Sequence, residues 1–286
     1  MGSPLPRKQV KGTLPFRRWY IATRLGELRE AAGVSAKDAA ARIERAPSTI
    51  YDIEDGTSVP QRPTLQALLR FYRADQATTS LLVDLRREPD KHEWWEPYTG
   101  DLPGDYGLYI SCEKRAKSIH DLEAVVVPGL LQTDAYARAV IRGTLPGLAE
   151  AEVERRVEVR RKRRTVLSDP NLTQLHAIVD ETALNRPIGG RDVMREQLTA
   201  LLDVPASVTL QVMPLVAGAY PEMGWPFVVI QLRDPRAPTL VFTERSSGHS
   251  VVDGDEDLRR YAGTWERLAG LALDPKQSAQ LIEAKL

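Results

Sequence analysis

Ala39-Ala-Ala-Arg-Ile-Glu-Arg-Ala-Pro-Ser-Thr-Ile-Tyr-Asp-Ile-Glu-Asp-Gly56 is the stretch on which the fold of the N-terminal part turns. Pro47 suits the first turn of a helix, where its missing amide hydrogen has no partner to lose, and Ile50 and Ile53 then repeat at a helical step. Two short helices that cross closely over a tight turn need a small residue at the crossing and two apolar pegs on the second helix; Ala40, Ile50 and Ile53 supply them. With both pegs turned inward, Ser48, Thr49, Tyr51, Asp52 and Asp55 face outward.

The flanks extend the same pattern. Upstream, Ile21, Leu25, Leu28 and Ala32 recur at steps of three and four, which predicts a first helix ended by Gly33. Ser35 can cap a second helix whose inward face is Ala39, Ala40 and Ile43. Downstream, Pro63 opens a fourth helix with Leu65, Leu68, Leu69 and Tyr72 on its apolar face, and a fifth runs through Leu81, Leu82 and Leu85 to Arg87, before Pro89. Leu25-Gly-Glu-Leu-Arg-Glu-Ala-Ala-Gly33, Ala39-Ala40 and Ser48-Thr-Ile-Tyr-Asp-Ile-Glu-Asp-Gly56 resemble the phage-repressor-like (XRE-type) helix-turn-helix regulators. The resemblance implies that the third helix enters the major groove of DNA. Glu44 departs from the family pattern, standing where a glycine usually makes the turn. A residue with a Cβ there must either take a left-handed conformation or change the turn. Asp52, Glu54 and Asp55 make the third helix acidic, which is unfavourable beside phosphate but compatible with accepting from a cytosine amino group. The DNA-binding candidates are Arg17, Arg18, Lys37, Ser48, Thr49, Tyr51 and Asp52, with Ser48, Thr49 and Tyr51 as the preferred base readers.

Charge, counted by segment, agrees. The 286 residues carry 39 basic and 39 acidic side chains, but residues 1–73 hold 13 basic against 7 acidic and the remainder 26 against 32. Positive charge gathered on one small domain is an electrostatic footprint for phosphates. Arg7, Lys8 and Lys11 lie in a Pro- and Gly-containing lead, residues 1–16, expected to be a flexible arm. Such arms either follow the DNA backbone and minor groove or remain solvated tails. With 42 % hydrophobic and 27 % charged residues, the composition is that of a soluble globular chain. No apolar run is long enough to span a membrane, the start of the chain lacks a secretory core, and the lone Cys112 fits a reducing compartment; these features predict a cytoplasmic protein.

Residues 17–88 are thus expected to form the helix-turn-helix domain. Residues 89–108, with Trp94, Trp95, Pro97, Tyr98, Gly100 and Tyr106, read as a linker with aromatic anchors. In 109–286, Thr133 can cap a helix over 134–142. A long helix is predicted from about 149 to 166 with Val153, Val157 and Val166 inward. Strands are predicted near 175–180, 207–213, 226–233 and 239–244, a helix over 191–203, and helices to close the chain. The order mixes helices and strands without regular alternation, so the expected fold is a mostly α, five-helix N-terminal domain plus an α+β C-terminal domain.

Val127-Pro-Gly-Leu-Leu-Gln-Thr133 with Tyr136-Ala-Arg138, the basic run Glu154 to Arg164, Asp180-Glu-Thr-Ala-Leu-Asn-Arg-Pro-Ile-Gly189, Val208-Thr-Leu-Gln-Val-Met-Pro214, Pro226-Phe227 and Glu244 resemble the C-terminal domain of the WhiJ-like group of actinobacterial regulators. The resemblance implies an antitoxin-like arrangement, in which this domain receives a small companion protein and changes what the helix-turn-helix does at its operator. The basic run leaves three readings open: a solvated face of Glu–Arg pairs, a second nucleic-acid contact, or a site for an acidic partner. Tyr220, Met223, Trp225 and Phe227 either plug the end of a sheet or line a pocket for a small molecule, the alternative to partner control.

An enzyme is not expected. The histidines at 92, 120, 176 and 249 lack the spacing of a zinc site, and no phosphate-cradling loop, nucleophile elbow or His-Glu-x-x-His segment occurs, so no metal, cofactor or catalytic residue is assigned. One recognition helix covers few base pairs, which predicts a homodimer on double-stranded DNA.

Overall fold

The computed structural model describes residues 14–88, 92–102, 106–245 and 248–286, with backbone alone at 244–245 and 248–249. Arg7, Lys8 and Lys11 of the basic lead lie outside the described residues. The chain divides into two compact units, Met1–Glu96 with Gly104–Ser111 and Pro97–Pro103 with Cys112–Leu286.

Among the described residues the first unit is built mainly from α1 (Phe16–Ala31), α2 (Ala36–Arg42), α3 (Pro47–Glu54), α4 (Arg62–Phe71) and α5 (Gln76–Arg87). Their ends follow the chemistry of the caps. Ser35 and Asp75 accept the amide hydrogens of Asp38 and Thr78, which satisfies otherwise orphaned donors at the starts of α2 and α5. Gly33, at φ 66°, closes α1 with the amides of Gly33 and Val34 on the carbonyls of Glu30 and Arg29. α1 packs on α3, α4 and α5, and α2 on α3 and α4. Ile21, Leu25, Ala39, Ala40, Ile50, Ile53, Leu65, Leu68, Leu69 and Leu82 form the buried interior. The inward stripe of α1 is shifted from the expected one: Phe16, Trp19 and Ala22 are buried, whereas Ala32 is exposed.

The segment expected as a linker carries structure of its own. Glu96–Tyr98 is a 3-10 turn and α6 (Tyr106–Lys114) begins within it. Trp95 is fully buried, with Trp94 edge-on to it at 5.8 Å between ring centroids. The paired tryptophans therefore pack, as amphipathic rings close to an apolar surface do.

The second unit is α+β. After α6 come β1 (Ala116–Glu123), α7 (Asp134–Thr144), α8 (Glu150–Arg163), β2 (Gln174–Asp180), α9 (Glu181–Asn185), α10 (Arg191–Leu202), β3 (Val208–Met213), β4 (Phe227–Leu232), β5 (Leu240–Arg245), β6 (Gly248–Val252), α11 (Asp255–Leu271) and α12 (Pro275–Glu283). The strands form one sheet in the order β3-β2-β1-β4-β5-β6, parallel over β1–β3 and antiparallel from β4 onward. Leu122, Ile178, Met213, Phe227 and Val241 pack with Tyr261, Trp265 and Leu268 of α11. The alternate positions Ile119, Leu175, Ala177 and Val179 are fully buried as well, so both faces are covered, as parallel strands require. The β3 edge is closed by the chain after α11: Leu273 donates its amide to the Val212 carbonyl, and Val212 donates to Ser278 Oγ, each at 2.9 Å.

Candidate nucleic-acid interface

α2, the turn after it and α3 are assembled as the alanine and isoleucine spacing requires. Ala39 and Ala40 are buried to the backbone, and Ile50 and Ile53 are 1 % and 3 % exposed. Ser48, Tyr51 and Asp52 point outward, Tyr51 with half its surface exposed, while Thr49 is half-buried. Glu44 keeps the turn by adopting the left-handed conformation, φ 55°. Its amide and that of Arg45 donate to the carbonyls of Ala41 and Ala40, the hydrogen-bond pair that normally terminates a helix at glycine. A Cβ in this conformation crowds the backbone, so Glu44→Gly is expected to stabilise the first unit by about 0.5–1 kcal/mol, and Glu44→Val to destabilise it, in urea denaturation.

The acidity of α3 is largely turned away from the outward face. Glu54 accepts from Arg29 Nε at 2.6 Å and Nη2 at 2.8 Å, joining α3 to α1, and Arg29 Nη1 also donates to the Val34 carbonyl at 3.1 Å. The Glu54 hydrogen bonds hold Arg29 above its ordinary pKa. Beside this pair, burial followed by the Glu54 charge pushes Tyr72 up to about 12. Asp55 accepts the Thr57 amide at 2.8 Å. Asp52 is thus the acidic side chain of α3 that remains exposed, and it is the one suited to a cytosine amino group.

Among the cations one correction is needed. Arg17 is 6 % exposed, and its guanidinium donates to the Glu88 carbonyl. A buried guanidinium held by a backbone carbonyl is an internal strut rather than a phosphate contact, so Arg17 leaves the set of DNA-binding candidates despite its place in the first turn of α1. Arg18 is half-buried and Lys37 is exposed on the first turn of α2. Two cations not singled out from the sequence, Arg42 and Arg45, are exposed where α2 passes into α3. Their place in the turn before the outward helix is the signal that points to them.

In the second unit, the charged clusters are engaged internally. The basic run is laced to carboxylates: Arg138 to Glu154, Arg155 to Asp101 at 2.6 Å, Arg161 and Arg164 to Asp134, Lys162 to Glu158 at 3.1 Å and Arg163 to Glu113 at 2.7 Å. That favours a structural reading of the run over a nucleic-acid contact. Asp180 caps α9 through the Thr182 amide at 2.7 Å, and Glu181 accepts from the Leu215 amide and from Lys285. Adjacent carboxylates at this strand end therefore cap and anchor. Tyr220 and Phe227 sink into the sheet core, while Met223 and Trp225 are exposed, so the four do not line one pocket. The side chains of Glu244 and His249 lie outside the described ones.

His120 and His176, neighbours in register across β1 and β2, both meet Trp265: His120 stacks on it at 4.7 Å and 13°, and His176 meets it edge-on at 5.0 Å. His176 Nε2 lies 2.6 Å from Gln211 Oε1. Burial, with a smaller contribution from His176, pushes His120 down to about 4, and burial lowers His176 against the opposing effect of Gln211. The unfolded chain binds a proton at His120 near 6.5 while the folded one does not. This contribution to stability is therefore full above about pH 6.5, falls as pH drops toward 4 and is constant below. After discounting for partial exposure, the loss between pH 7 and 4.5 is expected to be roughly 2 kcal/mol in urea denaturation, and His120→Gln should flatten the profile.

No helix among the described residues is long and apolar enough to cross a membrane. Residues 21–82 match a helix-turn-helix domain, the span that holds α2, the Glu44 turn and α3, and the chain is a DNA-binding regulator on that ground. Residues 106–284 match a domain of unknown function, DUF5753. No curated protein and no solved structure matches the chain. Since that second match takes in well over half of the sequence, the chain belongs to the DUF5753 family, with a helix-turn-helix domain ahead of the family domain.

Proposed function

We propose that the protein is a sequence-specific transcriptional regulator that binds duplex DNA as a homodimer, with α3 in the major groove and no enzymatic activity of its own. One observation carries this: α3 packs on α2 with Ile50, Ile53, Ala39 and Ala40 all buried, so Ser48, Tyr51 and Asp52 are left facing outward. Thr49, half-buried, reads from the edge of that face. Lys37, Arg42 and Arg45, with Arg18 in the first turn of α1, supply the sequence-independent attraction to phosphate. Two recognition helices about one helical turn apart, roughly 34 Å, give a two-fold symmetric operator. Genome-wide mapping of bound sites tests this. A palindromic motif with that half-site spacing supports it, and an unstructured distribution of sites or a single half-site counts against it.

The second unit is proposed to receive a small companion protein, as in the WhiJ-like, antitoxin-like arrangement. The support is the Val127–Thr133 segment and the order of the two domains. The charges of α8 are largely paired within the chain, which argues against that helix as the contact. Affinity purification of the full chain from its host is expected to retain a stoichiometric small protein; retention of none argues against this part.

A further inference from the structure

We propose that Arg156 and Arg160, one turn apart on α8, form a binding site for the phosphate group of a small molecule. The site belongs to the second unit alone and stands whether or not α3 reads DNA.

Helical spacing sets these two side chains on one face of α8, with Cβ atoms about 5–6 Å apart. Both are half-buried. Each of the other cations of α8 has a carboxylate to hold: Arg155 has Asp101, Arg161 has Asp134, Lys162 has Glu158 and Arg163 has Glu113. Arg156 and Arg160 make no hydrogen bond or ion pair among the described residues. The carboxylates nearby are already committed. Asp101, drawn down chiefly by its bond to Arg155 and less by the charge of Arg156, has both oxygens on Arg155 at 2.6 and 2.9 Å. Glu152 accepts the Ala149 amide at 2.9 Å, and Glu154 is held by Arg138 through both oxygens.

Arg156 Nε is shut off from solvent and meets no acceptor among the described residues. A buried N–H left so is rare in folded proteins, because it forfeits its bonds to water with nothing in exchange. Arg160 is drawn inward as well: it reaches over Gly129, whose lack of a Cβ leaves room for Nη1. The fold therefore holds both side chains against the protein without neutralising them, unlike the neighbouring Arg163 with its Glu113.

The donors select the ligand. Two guanidinium forks offer more N–H groups than the two oxygens of a carboxylate take up, whereas a phosphate presents three or four oxygens and accepts from both forks. Half-burial favours a small molecule over a nucleic-acid backbone, which is met by cations standing in solvent, as Lys37, Arg42 and Arg45 do.

Differential scanning fluorimetry of the full chain tests this, with inorganic phosphate as the probe and acetate at matched ionic strength as the control. At about 10 mM phosphate the wild-type melting temperature is expected to rise by about 3 °C, and with acetate by less than about 1 °C. Isothermal titration calorimetry is expected to give a phosphate Kd of about 1 mM, weakened about tenfold or more in Arg156→Met, Arg160→Met and kept within about twofold in Arg259→Met, Arg267→Met, which removes exposed cations of α11. Arg156→Met deletes a buried donor that has no acceptor, so without phosphate the first double variant is expected to melt within about 2 °C of wild type. The charge-keeping variant Arg156→Lys, Arg160→Lys serves if the methionine variant fails to fold, and is expected to bind phosphate about threefold more weakly for want of the forks. A wild type that responds no more to phosphate than to acetate overturns the site. So does undiminished phosphate affinity in whichever of these variants at 156 and 160 folds.

Discussion

Replacing Arg163 by Met is expected to destabilise the second unit by about 3–5 kcal/mol, a large share of the stability of an ordinary domain. Arg163 Nε and Nη2 donate to the two oxygens of Glu113 at 2.9 and 2.7 Å, and the two side chains are only 4 % and 2 % exposed. Taking both charges out of water is costly, and their mutual attraction compensates only while both are present. The single change strands a buried carboxylate. In the double variant Arg163→Met, Glu113→Leu no charge remains to be desolvated, and most of the loss should be recovered. Urea denaturation followed by far-UV circular dichroism checks both. A loss under about 1 kcal/mol for Arg163→Met, the size of an exposed ion pair, would mean that water reaches the two groups.

The same logic at a less buried pair gives the second large effect. Arg29→Met leaves the Glu54 carboxylate, about 15 % exposed, without its two-pronged partner, and a loss of about 2–3 kcal/mol in the first unit is expected. Glu54 sits at the C-terminal end of α3, so the damage should extend to function. DNA affinity is expected to fall about tenfold or more if α3 is the proposed recognition helix, since it loses one of its ties to α1. Arg29→Met, Glu54→Leu should recover stability. If stability falls with Arg29→Met while DNA affinity holds, the pair supports the fold without orienting α3.

The features legible in the sequence are those that local spacing specifies. Ala40, Ile50 and Ile53 define the crossing of α2 and α3, and Ser35, Pro47 and Gly56 its boundaries, because caps and pegs are decided within a turn or two. β1 escapes such a reading for a physical reason. Its sequence, Ala-Lys-Ser-Ile-His-Asp-Leu-Glu, is more than half polar, although it is a central strand with Ile119 and Leu122 fully buried. Partners of its polar residues come from distant parts of the chain, Trp265 of α11 stacking on His120 and Gln231 of β4 accepting from Ser118. β6, short and opened by a glycine, offers little periodicity.

Long-range pairing is likewise illegible in a linear chain. Arg17 resembles a phosphate contact until folding sets the Glu88 carbonyl beside it, and the arginines of α8 resemble free charges until Asp101, Glu113 and Asp134 stand opposite them. The Val127–Thr133 segment, identified by resemblance, acquires a structural explanation. Tyr136 Oη accepts from the Val127 amide, Gln132 Nε2 donates to the Val127 carbonyl, and Gln197 bonds both Thr133 N and the Leu131 carbonyl. A Cβ on Gly129 would come within 3.1 Å of Arg160 Nη1 and 3.5 Å of Arg163, so the glycine admits the arginines to this loop.

Whether the outward face of α3 reads base edges is decided by fluorescence anisotropy of the full chain on a duplex selected from a random library, against a scrambled duplex, across a salt series. Wild type is expected to prefer the selected duplex by about 10³-fold or more. Tyr51→Ala should cut that preference about tenfold while leaving scrambled-duplex affinity and its salt slope unchanged. Equal affinity of wild type for both duplexes, or no binding at about 50 mM salt, would show that α3 is not a base reader.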